Sequence, residues 1–170
     1  YGNAIITTAY LCEKFGLPFL PFEDSKKFLN KKITKKIYID LGIPVPDSLA
    51  INQKTRVSSL KESVFPIIAK PQTGHAKIDI MLLNTRSELE QFLAANQNQE
   101  FLYEKFIDGH EIICAGLIHQ RKYYNILISD KKTSPKPYFA DMMHTTPSEY
   151  IRLTDKVIEI GQKITDEFNI

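Results

Sequence analysis

The sequence predicts an α+β fold in which helices lead, a cluster of antiparallel strands follows, and a last helix closes the chain. Three observations carry that expectation. FPIIAKP, residues 65 to 71, is an apolar, partly β-branched run that ends in Lys70 and Pro71, the pattern of a buried strand delivering one ammonium to its tip. FLYEKFIDGHE, residues 101 to 111, is a second apolar run, interrupted by Glu104 and Lys105 and turned by Asp108-Gly109 into another strand near Glu111. Beyond residue 100 the strands succeed one another without intervening helices, which favours an α+β sandwich over a parallel doubly wound sheet.

Taken in order, residues 4 to 15 suit a helix with Ile5, Ile6, Ala9 and Phe15 available for one face and Gly16-Leu17-Pro18 as its stop. Asp24 or Ser25 is positioned to cap a short helix, and Asn30 to cap the next, which runs to Leu41 and stops at Gly42. In that second helix Ile33, Ile37 and Leu41 repeat every fourth residue, and Lys31 and Lys35 form a separate stripe at the same spacing. Ser58 or Ser59 opens a short helix, after which 65 to 70 and 77 to 83 read as an antiparallel strand pair. Ser87-x-x-Glu90 reads as a capping box before Leu89, Phe92 and Leu93. Strands are expected at 100 to 107, 110 to 119, 122 to 129 and 138 to 143. A final helix starts near Ser148, with Val157, Ile164 and Phe168 on one side.

The two charged strands read as a nucleotide cleft. Charges inside apolar strands need partners or ligands, because burying them alone is costly. An adenine ring needs an apolar slot and backbone donors and acceptors along one edge, and an extended segment such as 104 to 107 supplies both. Ribose hydroxyls need an acceptor, for which Glu111 is a candidate. Phosphates need a fixed positive charge, and Lys70 presents a compact ammonium with three donors.

These residues, in this order, resemble the ATP-grasp superfamily over nearly the whole chain, in its carboxylate-amine ligase and carbamoyl-phosphate-synthase-like branches. LNKKITKKIYIDLGIPVP looks like the family's Asp-Lys-x-x-x-Lys helix and Gly-Ile-Pro-Val-Pro exit, with Lys31 and Lys35 at the matching positions. IICAGLIHQRKYYNILISDKK is similar to the strand pair behind the nucleotide. YFADMMHTTPSEY resembles a segment that usually contains Gly-His-x-x-Pro-Ser, with Met143 in place of the glycine. The resemblance implies Lys31 and Lys70 as phosphate contacts, Glu104 and Lys105 at the adenine edge, Phe106 and Ile107 as the hinge strand, and Glu111 on the ribose.

It further implies the ATP-binding part of a ligase that joins a carboxylate to an amine or thiol through an acyl phosphate, with ATP and a small carboxylate as partners. Residues 1–22 would then end a preceding domain, 23–100 form a helical hairpin and the small ATP-grasp subdomain, and 101–170 begin the large one. Mg²⁺ is implied too, its ligands expected C-terminal to this chain. The catalytic residues stay unassigned, and no metal ligand is assigned within the chain; Asp130 and Asp141 are isolated acids at strand ends. A possible homodimer is left open. So are two other readings: a non-catalytic nucleotide-binding regulatory module, motivated by a loop with Gly74 alone between Lys70 and Lys77, and a protein-interaction domain without nucleotide.

Composition bounds these expectations. The chain has 170 residues and is 43% hydrophobic, enough for a substantial core. A formal net charge of +2 makes no demand for a nucleic-acid or membrane partner, so electrostatic recognition is expected to be local. The lysines between 26 and 36 read as a solvated face, with Lys31 the exception, since no repeated aromatic-basic interleaving and no arginine enrichment accompany them. Cys12 and Cys114 read as small reduced hydrophobes, and a cytoplasmic setting is the default. No apolar run approaches a membrane span, and a start at Tyr-Gly-Asn suggests a fragment. Thr73, His75 and Lys77 are candidate phosphate donors if their loop is a flap, and ordinary hairpin residues if it is not. His144 is a candidate for the substrate side or for a structural bond, and the four histidines lack the paired spacing of a zinc site.

Overall fold

Alternation along β1, Ile67–Pro71, assigns its two faces. Ile67 and Ala69 are fully buried on one face, while Ile68 and Lys70 point to the other. The computed structural model describes residues 2–73, 80–135, 140–168 and 170. Residues 74 to 77 of the expected loop, including Gly74, His75 and Lys77, lie outside the described residues, as do the first residues of the strands expected from 77 and from 138. Within them, β2, Met81–Leu83, pairs antiparallel with one edge of β1 and β3, Phe101–Lys105, with the other, giving a sheet of order β2-β1-β3.

Helix α4, Arg86–Ala95, covers the inner face of this sheet. Leu89 and Leu93 from the helix meet Ile67, Ala69, Leu83, Phe101 and Tyr103 from the strands, and Ile51 and Val57 from the preceding loop complete the cluster. Phe92 packs edge-on against Phe101 with ring centroids 4.8 Å apart. The helix is not capped as the Ser87-x-x-Glu90 box predicts. Thr85 is the N-cap, its Oγ1 accepting from the Glu88 amide at 3.2 Å, and the Glu88 carboxylate accepts from the Asn84 amide at 2.8 Å. Ser87 lies inside the first turn. The same Ser/Thr-x-x-Glu logic operates two residues earlier, and a short pattern cannot choose between overlapping frames.

Three helices precede the sheet: α1 (Gly2–Phe15), α2 (Phe22–Leu29) and α3 (Lys31–Asp40). Gly16 and Gly42 adopt φ +63° and +67° just past the ends of α1 and α3, where a left-handed residue terminates a helix at least cost to glycine. Asn30 caps α3 as expected, its side chain accepting from the amides of Lys32 and Ile33. Asp24 and Ser25 do not cap α2, which begins after Pro21; Ser25 is buried within it and donates to the Phe22 carbonyl at 2.6 Å.

The facing of α3 departs from the sequence pattern. Ile33 is 44% exposed, whereas Lys35 is buried at 7%. The helix turns Lys31, Thr34, Lys35 and Tyr38 toward a cavity bordered by β1 and β3, where Lys35 pairs with Glu104.

A second antiparallel sheet, order β4-β5-β6, is built from β4 (Glu111–His119), β5 (Lys122–Thr133) and β6 (Asp141–Thr145). Gln120 and Arg121 both have positive φ, 49° and 62°, closing the β4–β5 hairpin with a two-residue turn whose twist matches the strands. Helix α5, Thr154–Phe168, packs on β5 and β4. Gly116 and Gly161 flank the Tyr123 ring, and a Cβ at either position would fall 2.2 or 2.4 Å from it. Gln162 ties α5 to the hairpin, accepting from the Tyr123 amide at 3.0 Å and donating to the Arg121 carbonyl at 2.9 Å. At the far end Phe168 stacks on Phe28 of α2, centroids 4.3 Å apart, so α5 also contacts the leading helices.

Urea unfolding checks the corrected cap. Thr85→Ala is expected to cost about 1 kcal/mol, Ser87→Ala less than about 0.5 kcal/mol, and Leu89→Ala about 2–5 kcal/mol. A larger loss at Ser87 than at Thr85 would contradict this assignment.

Candidate nucleotide-binding site

Register places the charged residues of the two strands on one face. Ile68 pairs with Glu104 and Lys70 with Leu102, so Lys70 and Glu104 are diagonal neighbours on the side of the sheet away from α4. Glu104 is 3% exposed. Its Oε1 accepts from Lys35 Nζ at 2.5 Å and its Oε2 from Lys70 Nζ at 2.6 Å. Lys35 Nζ also donates to the Pro46 carbonyl at 2.5 Å. One buried carboxylate thus joins helix α3, strand β1 and strand β3.

Two cavities meet at this cluster. The larger, about 500 Å³, is lined by Ile68, Ile80, Lys105, Phe106, Ile107 and Glu111 among others. The smaller, about 250 Å³, is lined by Phe28, Lys31, Thr34, Lys35, Tyr38 and Leu102 among others. Lys70, Glu104 and Pro46 border both. The larger volume lies in the range of small-molecule sites, and its walls are apolar with a few convergent polar groups, as such sites require.

Electrostatics differ between the two ends. Burial is the strongest single influence on the Glu104 carboxyl and pushes it up. The hydrogen bonds and charges of Lys35 and Lys70 together outweigh it and hold the group below its ordinary value of 4.5. Lys31 is depressed from 10.5, first by burial and then by the nearby charge of Lys70. Lys31, Lys35 and Lys70 thus gather around the Glu104 end of the two cavities.

The structure brings Lys70, Glu104, Lys105, Phe106, Ile107 and Glu111 of the expected residues to the larger cavity and Lys31 to the smaller one. Glu104 differs from the expectation of an adenine-edge contact: it lines the cavity, but its carboxylate is shared by two lysines. The amides of Lys105 and Phe106 donate to the Asp47 and Pro66 carbonyls, both at 3.0 Å. Backbone donors for a ring edge therefore narrow toward Ile107, whose side chain is 65% exposed at the mouth. Lys31 donates its amide to the Gln72 carbonyl at 2.8 Å, tying the start of α3 to the residue after β1.

Sequence reasoning missed two residues. Lys35 belongs to the stripe that reads as solvated, yet its spacing from Lys31 puts both on one face and it is buried. Lys131 went unnoticed; its Nζ lies 3.2 Å from Glu111 and 2.9 Å from Asp141, and its side chain is 11% exposed. The alternating run of β5 contains no signal that its lysine would be turned inward. Asp130 is held by Ser148 Oγ at 2.5 Å and the Glu149 amide at 2.9 Å, so it serves the turn into α5. His144 sits on β6 opposite Lys131. Among the described residues no three His, Cys, Asp or Glu side chains gather as a metal site, and Asp130 and Asp141 have the partners just given. The described residues do not fit a resident Mg²⁺.

A three-stranded sheet backed by one helix, a second antiparallel sheet, and a lysine-flanked cavity bordered by residues of both make an ATP-grasp fold. Its sequence is similar to the D-alanine--D-alanine ligase of Thermosipho africanus, 27% identical over 145 residues that cover 81% of this chain and 36% of that protein. Among solved structures, the L-amino acid ligase from Bacillus licheniformis matches with a TM-score of 0.74 at 24% identity, covering 97% of this chain and 40% of that one. The D-alanine--D-alanine ligase of Bacillus anthracis complexed with ATP matches with a TM-score of 0.68 at 22% identity, covering 94% and 54%. No family model matches. The chain spans about a third of the length of the curated relatives it matches, such as the 36% just given.

Glu104→Gln is expected to cost about 3–5 kcal/mol at neutral pH, because it leaves two lysines facing a neutral group in the interior. A folded-state value below the unfolded one means that the Glu104 contribution is present above pH 4.5 and is lost as pH falls through the lower folded value. Thermal unfolding followed between pH 6 and 3 is expected to show this loss in the parent protein and not in Glu104→Gln.

Proposed function

We propose that the chain is the nucleotide-binding portion of an ATP-dependent ligase that joins a carboxylate to an amine or a thiol through an acyl phosphate. The observation that carries this reading is the cavity bordered by Lys70 at one end and by the Lys105–Ile107 segment and Glu111 at the other. The relatives' names support it, since a D-alanine--D-alanine ligase and an L-amino acid ligase are among them. Adenine lies between Ile68, Ile80 and Ile107, with the Ile107 amide as edge donor. Glu111 accepts from the ribose hydroxyls, oriented by Lys131. The phosphates lie toward Lys70 and Lys31.

In the reaction a carboxylate oxygen attacks the γ-phosphorus, the bond to the bridging oxygen breaks, and ADP leaves. The amine or thiol then attacks the acyl carbon, inorganic phosphate leaves, and the nucleophile loses its proton. The residues of this chain contribute position and charge neutralisation. Mg²⁺ neutralises phosphate charge in such transfers, and its protein ligands are proposed to come from beyond these residues. The same reading divides the chain into 1–22, 23–100 and 101–170, the end of a preceding domain, the small subdomain and the start of the large one. It makes the protein cytoplasmic, related to carbamoyl-phosphate-synthase-like ATP-binding domains, and a candidate homodimer. Among the described residues no helix is long and apolar enough to cross a membrane.

Calorimetric titration of the full-length protein with ADP and Mg²⁺ tests the reading, and absence of heat from specific binding would reject it. Lys70→Ala is expected to weaken ADP about 10- to 100-fold, the value of a charge-assisted contact. Affinity is also expected to decline as pH rises, beginning below the 10.5 of an ordinary lysine. The bound phosphate raises the depressed Lys31 value, so the complex binds more protons than the free protein, and deprotonation opposes binding.

A further inference from the structure

Lys70 faces two claims. Its Nζ rests on Glu104 Oε2 at 2.6 Å, and it also borders the larger cavity, where the phosphate end of a nucleotide is placed. A lysine that moves to a phosphate must release its carboxylate, and releasing a carboxylate whose side chain is 5% exposed would strand a charge in the interior. That cost would hold Lys70 in place.

Lys35 removes the obstacle. It binds the other oxygen, Oε1, so the two lysines do not compete for one acceptor. Its side chain is 8% exposed against 30% for Lys70, and a second bond to the Pro46 carbonyl at 2.5 Å fixes it. It borders only the smaller cavity among the two. The pair is therefore asymmetric, with one buried, doubly bonded lysine and one half-buried lysine at the cavity wall.

We propose that Lys35 is a positioning residue, the permanent counter-ion of Glu104, which frees Lys70 to exchange that carboxylate for a phosphate group of the bound nucleotide. This rests on the nucleotide reading above. Lys35 touches no substrate; it acts through Glu104 on Lys70. When the anion arrives, Lys70 swings toward it, Glu104 keeps one charge-assisted bond, and no buried charge is left alone. Without Lys35 the same motion would leave Glu104 bare, so Lys70 would remain on Glu104 and phosphate affinity would fall. Affinity for the nucleoside part, which Lys70 does not contact, would be kept.

The test titrates adenosine, ADP and pyrophosphate, each with Mg²⁺, into the full-length parent protein, Lys35→Met, and Lys35→Met combined with Glu104→Gln. Lys35→Met is expected to weaken ADP and pyrophosphate about 10-fold or more while adenosine changes less than about 2-fold. The double variant, which has no buried carboxylate to neutralise, is expected to recover most of the lost pyrophosphate affinity. If Lys35→Met does not fold, the double variant alone decides, and near-parental pyrophosphate binding is then expected of it. Equal weakening of adenosine and ADP would mean that Lys35 merely holds α3, and would overturn the inference. So would unchanged pyrophosphate binding in Lys35→Met, or no recovery in the double variant. If the parent protein binds none of the three ligands, the nucleotide reading itself fails; if it binds them and only the variants disagree, the counter-ion role alone is lost.

Discussion

A single buried carboxylate constrains the site. Glu104 lies where β3 passes under α3, and its two oxygens are divided between Lys35 of the helix and Lys70 of β1. A buried carboxylate left with no counter-ion costs several kcal/mol, so at least one lysine must stay on Glu104 for the strand to sit where it does, and Lys35, 8% exposed against 30% for Lys70, is the more deeply held. The orientation of α3, with Ile33 outward and Lys35 inward, follows from the same requirement. So does the position of the 46–49 segment, whose Pro46 carbonyl takes a second bond from Lys35 and whose Leu49 amide donates to the Tyr103 carbonyl at 2.9 Å.

The small sheet works because its two faces are chemically different. Ile67, Ala69, Phe101 and Tyr103 form an apolar layer against Leu89 and Leu93. That layer carries most of the stabilisation, since each fully buried large side chain contributes about 1.5–3 kcal/mol. The opposite face carries Ile68, Lys70, Leu102 and Glu104, of which Ile68 and Glu104 are buried and Lys70 is ion-paired to Glu104. A rigid apolar layer holds charged groups at fixed separations, which preorganises the cavity before a ligand enters.

Polarity runs along the cavity. Phe106, Ile107 and Ile80 give it apolar walls, whereas Lys70 borders both it and the smaller cavity that Lys31 lines. Burial first, and then the nearby charge of Lys70, holds Lys31 below its ordinary value. Glu111 is drawn toward Lys131, which fixes a second acceptor on the far side.

Much of this was legible in the chain itself. The apolar runs FPIIAKP and FLYEKFIDGHE marked two strands and the charged residues within them, and parity along each strand separates its two faces, but only the register between the strands puts Lys70 and Glu104 on one face. The cap at Asn30, the glycine stops at 16 and 42, and the hairpin boundaries at 119 and 122 were likewise local matters of backbone geometry. Tertiary structure decided what depends on partners distant in sequence. Thr85 rather than Ser87 begins α4, Lys35 rather than Ile33 faces inward, and Lys131 reaches Glu111. Above all, the Glu104 carboxylate is bound by lysines 69 and 34 residues away. A sequence shows which residues carry charge, but the energy of a buried charge is set by what surrounds it, and only folding assembles those surroundings.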